Sequence, residues 1–124
     1  MPVRGVGIDL VEINRMENIL NKDDSFHFRN RVFSESEIRY CEKSARSAQH
    51  YWVRFAAKEA FIKAFGRNDL ALREIVVERR ENGAPYLTFS DQLLDRIPQI
   101  RTFSFHLSLS HSRTTATAVV VIES

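Results

Sequence analysis

The sequence predicts an α+β fold: a single domain, residues 1–124, in which a long central helix packs against a small, mainly antiparallel sheet. Residues 47–65 predict the helix, because they lack proline and glycine, include many good helix formers, and precede Gly66, a suitable C-terminal cap. Two pairs of short apolar segments, each joined by a polar turn, predict antiparallel hairpins. They are residues 75–79 with 86–89 and residues 102–110 with 115–122.

The first part of the chain predicts one strand followed by short helices. The predicted elements are a buried strand at 3–11, an amphipathic helix at 12–20, a loop at 21–25, and a short helix or turn at 26–33. Ser34 followed by Glu37 is typical of a capping box, which would start a helix that runs to about residue 43.

The second part of the chain predicts strands with one short helix between them. The predicted elements are a loop at 66–72, a turn at 82–85 inside the first hairpin, and a helix at 91–97. Ser90 would cap this helix and Pro98 would end it. Along residues 102–110 the Phe and Leu side chains point one way and the Ser and His side chains the other, so the polar face meets solvent or another subunit.

Composition narrows the class of protein. With 44% hydrophobic and 27% charged residues, the chain is typical of a globular protein that builds its own core. A net charge of +2 gives no general attraction to nucleic acid, and no apolar segment has the length of a membrane span. The single cysteine, Cys41, and the absence of a signal-peptide pattern predict a cytoplasmic location.

Three separate stretches carry polar residues that a simple core does not need. Asp9 interrupts the apolar first strand, Glu59 and Lys63 lie one turn apart on the central helix, and His111 follows the last polar strand. Two carboxylates and a lysine suit Mg²⁺ and a phosphate group. Each pattern also has a simpler interpretation: Asp9 bonded to backbone N–H groups, a Glu59–Lys63 surface ion pair, and a histidine in a turn.

Three blocks of sequence together point to one family. They are Gly5-Val6-Gly7-Ile8-Asp9-Leu10-Val11-Glu12-Ile13, the central segment Arg54 to Ala64 (RFAAKEAFIKA), and Leu107-Ser108-Leu109-Ser110-His111-Ser112. In their order and separation the chain resembles the holo-acyl-carrier-protein synthases, the small bacterial group of 4′-phosphopantetheinyl transferases. The likeness spans the whole chain, and the central block is the most specific.

The resemblance implies a reaction and roles for particular residues. Members of the family transfer the phosphopantetheine arm of coenzyme A to a serine of an apo acyl carrier protein, release adenosine 3′,5′-bisphosphate, and require Mg²⁺. Asp9 and Glu59 match the metal ligands, and Lys63 matches the residue that contacts the diphosphate and assists the leaving group. Arg54 and His111 match contacts to the adenosine and its 3′-phosphate. The base for the serine is either Glu59 or a metal-bound water.

The resemblance also implies partners. Similar proteins are homotrimers that hold coenzyme A in clefts between subunits, and Arg15 on the first helix matches the surface that docks the acidic carrier protein. A basic patch of Arg15, Lys22, Arg29 and Arg31 would serve that docking. The chain departs from many relatives after the central helix, where a glycine-rich loop is replaced by Gly66-Arg67-Asn68-Asp69. We expect Gly66 to remain near the diphosphate, with the Arg67 charge replacing backbone contacts.

Two other functions compete with the transferase. One is a non-catalytic trimeric module that binds acidic carrier proteins through the same basic helix. Such a module has no use for Asp9, Glu59 and Lys63 together, so these residues favour the enzyme. The other is a Mg²⁺-dependent nucleotide hydrolase, for which the sequence has no Walker-type loop.

Overall fold

The computed structural model describes residues 2–20 and 25–124, within which it shows five strands and five α-helices. The strands are β1 (Val3–Glu12), β2 (Ile75–Arg79), β3 (Pro85–Phe89), β4 (Ser104–His111) and β5 (Thr115–Glu123). The α-helices are α1 (Ile13–Leu20), α2 (Ser25–Val32), α3 (Glu35–Glu42), α4 (Ser47–Phe65) and α5 (Asp91–Arg96), with 3-10 helices at Leu72–Glu74 and Pro98–Thr102. The predicted α+β class is confirmed. Residues 21–24 of the predicted loop, Lys22 among them, lie outside the described residues.

The strands form two antiparallel sheets. The larger sheet has the order β1-β5-β4, and the smaller sheet is the β2–β3 hairpin. Both predicted hairpins are therefore confirmed. Helix α1 begins at Ile13, one residue after the predicted start, because Glu12 still pairs with Thr115 in the sheet. Strand β4 begins at Ser104 because the second 3-10 helix extends to Thr102 and Phe103 caps it.

Helix α4 is the centre of the molecule, packed against β1, β4 and β5 on one side and against α1, α3 and β2 on others. Nine of its residues are buried, and they lie around most of its circumference: Tyr51, Trp52, Val53, Arg54, Ala56, Ala57, Lys58, Ala60 and Phe61. The helix ends at Gly66, whose φ of 79° is in the left-handed region, as the sequence predicts. A helix surrounded in this way holds its side chains in fixed positions relative to both sheets.

The backbone of β1 lies directly against α4. A Cβ atom built on Gly7 would lie 1.9 Å from the carbonyl oxygen of Ala60, and one built on Gly5 would lie 1.9 Å from that of Ala64. No side chain fits between strand and helix at these positions, so the glycines set the separation of the two elements. The contact places Asp9, two residues beyond Gly7, beside the last turns of α4.

The prediction that β1 is a buried strand is wrong for one of its two faces. Val6, Ile8 and Leu10 are 60%, 61% and 69% exposed, while Gly7 and Val11 on the opposite face are buried. The physical reason is that α4 covers only the inner face of the larger sheet, and nothing in the described residues covers the outer one. The outer face also carries the exposed Ser104, His106, Ser108 and Ser110 of β4, as their alternation predicts.

Candidate active site

Asp9 and Lys63 meet at the junction between β1 and α4. The Lys63 Nζ donates hydrogen bonds to Asp9 Oδ1 at 3.1 Å and to the carbonyl oxygen of Ile8 at 3.0 Å. The Asp9 side chain is 15% exposed and that of Lys63 is 55% exposed. The sequence interpretation in which Lys63 forms an ion pair with Glu59 is therefore wrong, because the strand brings a closer carboxylate. The simple interpretation of Asp9 as a carboxylate held by backbone N–H groups is replaced by a contact with Lys63.

Glu59 completes this group one helical turn before Lys63. Burial first, and then the negative charge of Asp9, raise the pKa of Glu59 above its usual value, and the charge of Lys63 partly opposes them. The carboxylates of Asp9 and Glu59 thus repel each other where β1 meets α4. Such a pair is unfavourable by itself and favourable beside a cation, so the site is suited to a cationic ligand.

The donor set of this site fits Mg²⁺. Asp9 and Glu59 come from different elements and offer hard oxygen ligands, and in the described part of the chain no group of three or more His, Cys, Asp and Glu residues forms a dedicated cage. Mg²⁺ is typically held by one or two carboxylates and keeps the remaining positions for water and substrate phosphates. Asp9 and Glu59 are therefore the residues that would hold the ion.

The raised pKa of Glu59 gives a prediction about stability. In the unfolded chain Glu59 ionises at its ordinary pKa, whereas in the folded protein it keeps its proton to higher pH. The unfolded state therefore binds fewer protons between the two pKa values, and the free energy of unfolding falls as the pH rises through that window. At neutral pH in EDTA, we expect Glu59→Gln to unfold at a higher temperature than the wild type.

Thermal unfolding with and without Mg²⁺ checks this prediction. Added Mg²⁺ should raise the unfolding temperature of the wild type and leave that of Glu59→Gln nearly unchanged, because the variant lacks one of the two carboxylates that would hold the ion. Glu81→Gln, which replaces an exposed glutamate on the β2–β3 turn, is the control and should behave like the wild type. A Glu59→Gln variant that is less stable than the wild type in EDTA would contradict the electrostatic account.

A second polar cluster lines a cleft of about 300 Å³ between α4, the β2–β3 hairpin and β4. Its lining includes His50, Val53, Arg79, Pro85 and His111. Burial first, and then the charges of Arg54, Arg79 and His111, lower the pKa of His50. The cleft therefore combines cationic and imidazole side chains with an apolar lining, which suits an anion attached to an apolar group.

The two residues that the resemblance assigns to adenosine occupy different depths in this region. His111 is exposed at the end of β4 and lines the cleft, whereas Arg54 is only 1% exposed and does not. The Arg54 guanidinium lies 4.3 Å from the centre of the Tyr40 ring and donates to the carbonyl oxygen of His50 at 3.2 Å. Arg54 thus contributes positive charge from behind the surface of the cleft.

Sequence reasoning did not identify His50 and Arg79. His50 lies one helical turn before Arg54, so the spacing of α4 gave a signal for it. Arg79 ends β2, and no sequence pattern distinguishes it from the neighbouring Arg80. Only the folding of the hairpin over α4 brings it to the cleft.

The segment after α4 carries an ion pair that the sequence analysis did not predict. Arg67 forms a forked ion pair with Asp69, with Nε to Oδ1 at 3.0 Å and Nη2 to Oδ2 at 2.7 Å. Both side chains are exposed, and hydrogen bonding lowers the pKa of Asp69. The Arg67 charge is therefore balanced within its own turn, so a phosphate would have to compete with Asp69 for it.

The predicted basic patch near α1 is smaller than its four residues suggest. Arg15 and Arg31 are exposed. Arg29 turns inward, donates to the Leu20 carbonyl oxygen at 3.3 Å, and lies over the Tyr51 ring. Arg29 thus holds the end of α1, and the exposed charge available to a partner comes from Arg15 and Arg31 among the described residues.

The family of the chain follows from comparison with known proteins. Residues 5–120 match the model of the 4′-phosphopantetheinyl transferase superfamily. The chain belongs to this superfamily, a class of transferases, and all three sequence blocks lie within the matched residues. No helix among residues 2–20 and 25–124 combines the length and the apolar character needed to cross a membrane.

The most informative relatives belong to one group within that class. The chain is 44% identical to the holo-[acyl-carrier-protein] synthase of Syntrophus aciditrophicus (strain SB), over 98% of this chain and 96% of the relative. It is 39% identical to that of Geobacter sp. (strain M21), over 98% of both proteins. The resemblance to holo-acyl-carrier-protein synthases is confirmed, and it favours the enzyme over the non-catalytic module.

Solved structures agree with the fold. A holo-(acyl-carrier-protein) synthase from Bacillus anthracis str. Ames, in complex with CoA (3′,5′-ADP), superposes with a TM-score of 0.80 at 33% identity, over 98% of this chain and 97% of that one. The Helicobacter pylori holo-[acyl-carrier-protein] synthase in complex with coenzyme A gives a TM-score of 0.80 at 32% identity, over 95% and 99% of the two chains.

Proposed function

We propose that this protein transfers the 4′-phosphopantetheine arm of coenzyme A to a serine of an apo acyl carrier protein, in a Mg²⁺-dependent reaction that releases adenosine 3′,5′-bisphosphate. The observation that carries the proposal is the convergence of Asp9, Glu59 and Lys63 at the junction of β1 and α4. The family match and the relatives with bound coenzyme A support it. Cys41, buried and unpaired, suits the cytoplasm, where we place the protein.

In the proposed reaction, the two carboxylates would bind the metal ion and Lys63 would contact the phosphate groups. Mg²⁺ bound by Asp9 and Glu59 would neutralise charge on the diphosphate of coenzyme A. Lys63, whose ammonium is more than half exposed, can leave Asp9 for the phosphate and stabilise the departing bisphosphate. The serine proton would pass either to Glu59 or to a water held by the metal ion.

The cleft beside His111 would hold the other end of coenzyme A. His50, Arg79 and His111 line it, and the buried Arg54 adds charge behind them. A 3′-phosphate and an adenine ring are an anion attached to a group with apolar faces, which is the ligand chemistry that this lining suits. Arg15 and Arg31 would attract the acidic carrier protein to the neighbouring helices.

Mass spectrometry of a purified apo carrier protein, incubated with this protein, coenzyme A and Mg²⁺, tests the function. We expect the carrier to gain about 340 Da, the mass of the phosphopantetheine arm, and EDTA to abolish the gain. A folded protein that binds carriers but modifies none of several tested would instead support the non-catalytic module. A gain that persists in EDTA would contradict the role of Mg²⁺.

We further propose that the protein is a homotrimer assembled through the outer face of the larger sheet. Five aliphatic side chains form a continuous stripe there: Val6, Ile8, Leu10, Val119 and Val121. Val6 lies opposite Val121 and Ile8 opposite Val119 in the antiparallel register. An exposed apolar stripe of this kind marks a surface that another protein covers, and the resemblance identifies that protein as further copies of the chain.

A charge placed in the stripe should prevent this assembly. We expect Leu10→Asp to sediment as a single chain and the wild type as three, because a carboxylate cannot be buried without a partner. Gln92→Asp, at an exposed position on α5, is the control and should assemble like the wild type. A Leu10→Asp variant that still forms trimers would exclude this face as the interface.

A further inference from the structure

The most completely buried ionic contact in the described residues joins Lys58 of α4 to Glu37 of α3. Both side chains are 0% exposed, and the Lys58 Nζ lies 2.6 Å from Glu37 Oε1. The Lys58 ammonium also donates to the carbonyl oxygens of Leu72, at 2.9 Å, and Ile75. All three of its donors are therefore satisfied. No sequence pattern singled out Lys58, and no step of the proposed reaction uses it.

The carboxylate of Glu37 is equally well satisfied. Its Oε1 accepts a second hydrogen bond from the backbone N–H of Ser34 at 2.9 Å, which closes the predicted capping box. Its Oε2 accepts from the backbone N–H of Val77, also at 2.9 Å. The pair thus connects the start of α3, the middle of α4 and strand β2 through hydrogen bonds that have defined directions.

Stability alone is a weak reason for such a pair. Removing two charges from water costs about as much as their attraction and hydrogen bonds return, and a well-packed apolar pair is often as stable or more so. An apolar pair, however, tolerates small rotations and slides of a helix, whereas an ammonium held by three acceptors does not. The ion pair therefore fixes the rotation and position of the helix more than it adds to stability.

The geometry matters because Lys58 directly precedes Glu59. A side-chain tip about 6 Å from a helix axis moves about 1 Å when the helix rotates by about 10°. The contact of Gly5 and Gly7 with Ala60 and Ala64 sets how closely α4 approaches β1, but small residues resist rotation weakly. On the far side of the helix, the hydrogen bonds of Lys58 to Glu37, Leu72 and Ile75 oppose rotation of α4. The carbonyl groups of Leu72 and Ile75 also fix where the chain returns after the turn at Arg67.

We propose that Lys58, through Glu37, is a positioning residue that fixes the rotation of α4 and thereby keeps Glu59 beside Asp9 for the metal ion. This inference rests on the proposed function, because it concerns the metal site of that reaction. It predicts that a variant without the Lys58–Glu37 pair still folds but binds the metal ion more weakly.

The test compares three purified proteins that are each shown to be folded by circular dichroism. The first is the wild type. The second is the double variant Glu37→Leu/Lys58→Met, which removes both charges together and leaves neither one buried alone. The third is Leu93→Ala, which creates a cavity at a fully buried position of α5, away from the network, and so lowers stability without releasing Lys58.

The first readout is Mn²⁺ binding, with Mn²⁺ as a spectroscopic substitute for Mg²⁺, followed by electron paramagnetic resonance without coenzyme A. We expect the double variant to bind Mn²⁺ about tenfold more weakly than the wild type, and Leu93→Ala to bind like the wild type. The second readout is transfer activity, where kcat should fall about 10- to 100-fold because a displacement of about 1 Å is enough for such a loss. The KM for the carrier protein should stay unchanged.

Two outcomes would overturn the inference while leaving the proposed function intact. One is wild-type Mn²⁺ affinity and kcat in the double variant. The other is an equal loss in Leu93→Ala, which would show that lowered stability is the cause. Should the double variant not fold, Glu37→Gln/Lys58→Met carries the same comparison, since it keeps the size of the Glu37 side chain and again leaves no charge buried alone. A wild type that binds no Mn²⁺ and modifies no carrier would overturn both proposals.

Discussion

Replacing Asp9 with asparagine should lower the rate of carrier modification by about 10²- to 10³-fold while the protein remains folded. Asparagine keeps the shape of the side chain and can still accept a hydrogen bond from Lys63, but it lacks the charge that a divalent cation requires. The loss corresponds to the several kcal/mol of transition-state stabilisation that a bound metal ion supplies. The initial rate of carrier modification, followed by mass spectrometry at saturating coenzyme A and Mg²⁺, measures it.

The control for this experiment is Asp95→Asn. Asp95 is an exposed carboxylate on α5 whose side chain lies 3.8 Å from Arg101, and its loss should change neither rate nor stability by a measurable amount. Circular dichroism and thermal unfolding should give the same result for both variants and the wild type within a few degrees. An Asp9→Asn enzyme with normal turnover would exclude Asp9 as a metal ligand.

Adding a single methyl group at Gly7 should destabilise the protein by about 3 kcal/mol and abolish most of its activity. The new Cβ would lie 1.9 Å from the carbonyl oxygen of Ala60 and 2.7 Å from the backbone nitrogen of Ala64, and both of these are backbone atoms that cannot rotate away. Strand β1 and helix α4 must therefore separate, at the cost typical of an overpacked core. Because Asp9 and Glu59 lie on these two elements, the same movement would separate the two carboxylates that we propose as metal ligands.

Gly83→Ala distinguishes this steric effect from the general cost of replacing a glycine. Gly83 has a φ of 88° in the β2–β3 turn, and a Cβ atom there would meet no other atom within 4 Å. The cost should then be only about 1 kcal/mol, from the left-handed backbone alone, with normal activity. Chemical denaturation of both variants gives the comparison. Equal destabilisation would show that the close approach of β1 to α4 is not the cause.

Local signals in the sequence were sufficient for most of the secondary structure. Gly66 marked the end of α4, Ser34 with Glu37 marked the start of α3, and Asn82-Gly83 marked the turn between β2 and β3. Each of these signals acts over a few residues, through a cap or a turn, so tertiary packing did not override it.

The burial of particular residues could not be predicted in the same way. The alternating apolar side chains of β1, Val6, Ile8 and Leu10, share the outer face, and the sequence does not say whether its own chain or another one covers that face. Lys58 sits on a helix among other charged residues and resembles an exposed lysine, although Glu37 holds it in the core. The capping box already explained Glu37, so its second partner had no separate signal.

For the candidate site, too, the sequence indicated individual residues but not how they come together. Asp9, Glu59 and Lys63 were each visible as polar residues in apolar or helical surroundings. Their convergence depends on the antiparallel pairing of β1 with β5 and on the glycine contact with α4, which no local spacing encodes. Of the sequence observations, only the resemblance to a known family predicted that these three residues belong to one site.

The pairing of β1 with β5 also determines when the site can form during synthesis. The Thr117 hydroxyl donates to the backbone carbonyl of Asp9 across a sequence separation of 108 residues, and β1 lies at the edge of its sheet with β5 as its neighbour. A nascent chain that has not yet released residues 115–123 from the ribosome has no partner strand for Asp9. Contacts of such long range form late and slow the folding of a small domain. We therefore expect Asp9 and Glu59, the proposed metal ligands, to come together late, after nearly all of the described chain has been made.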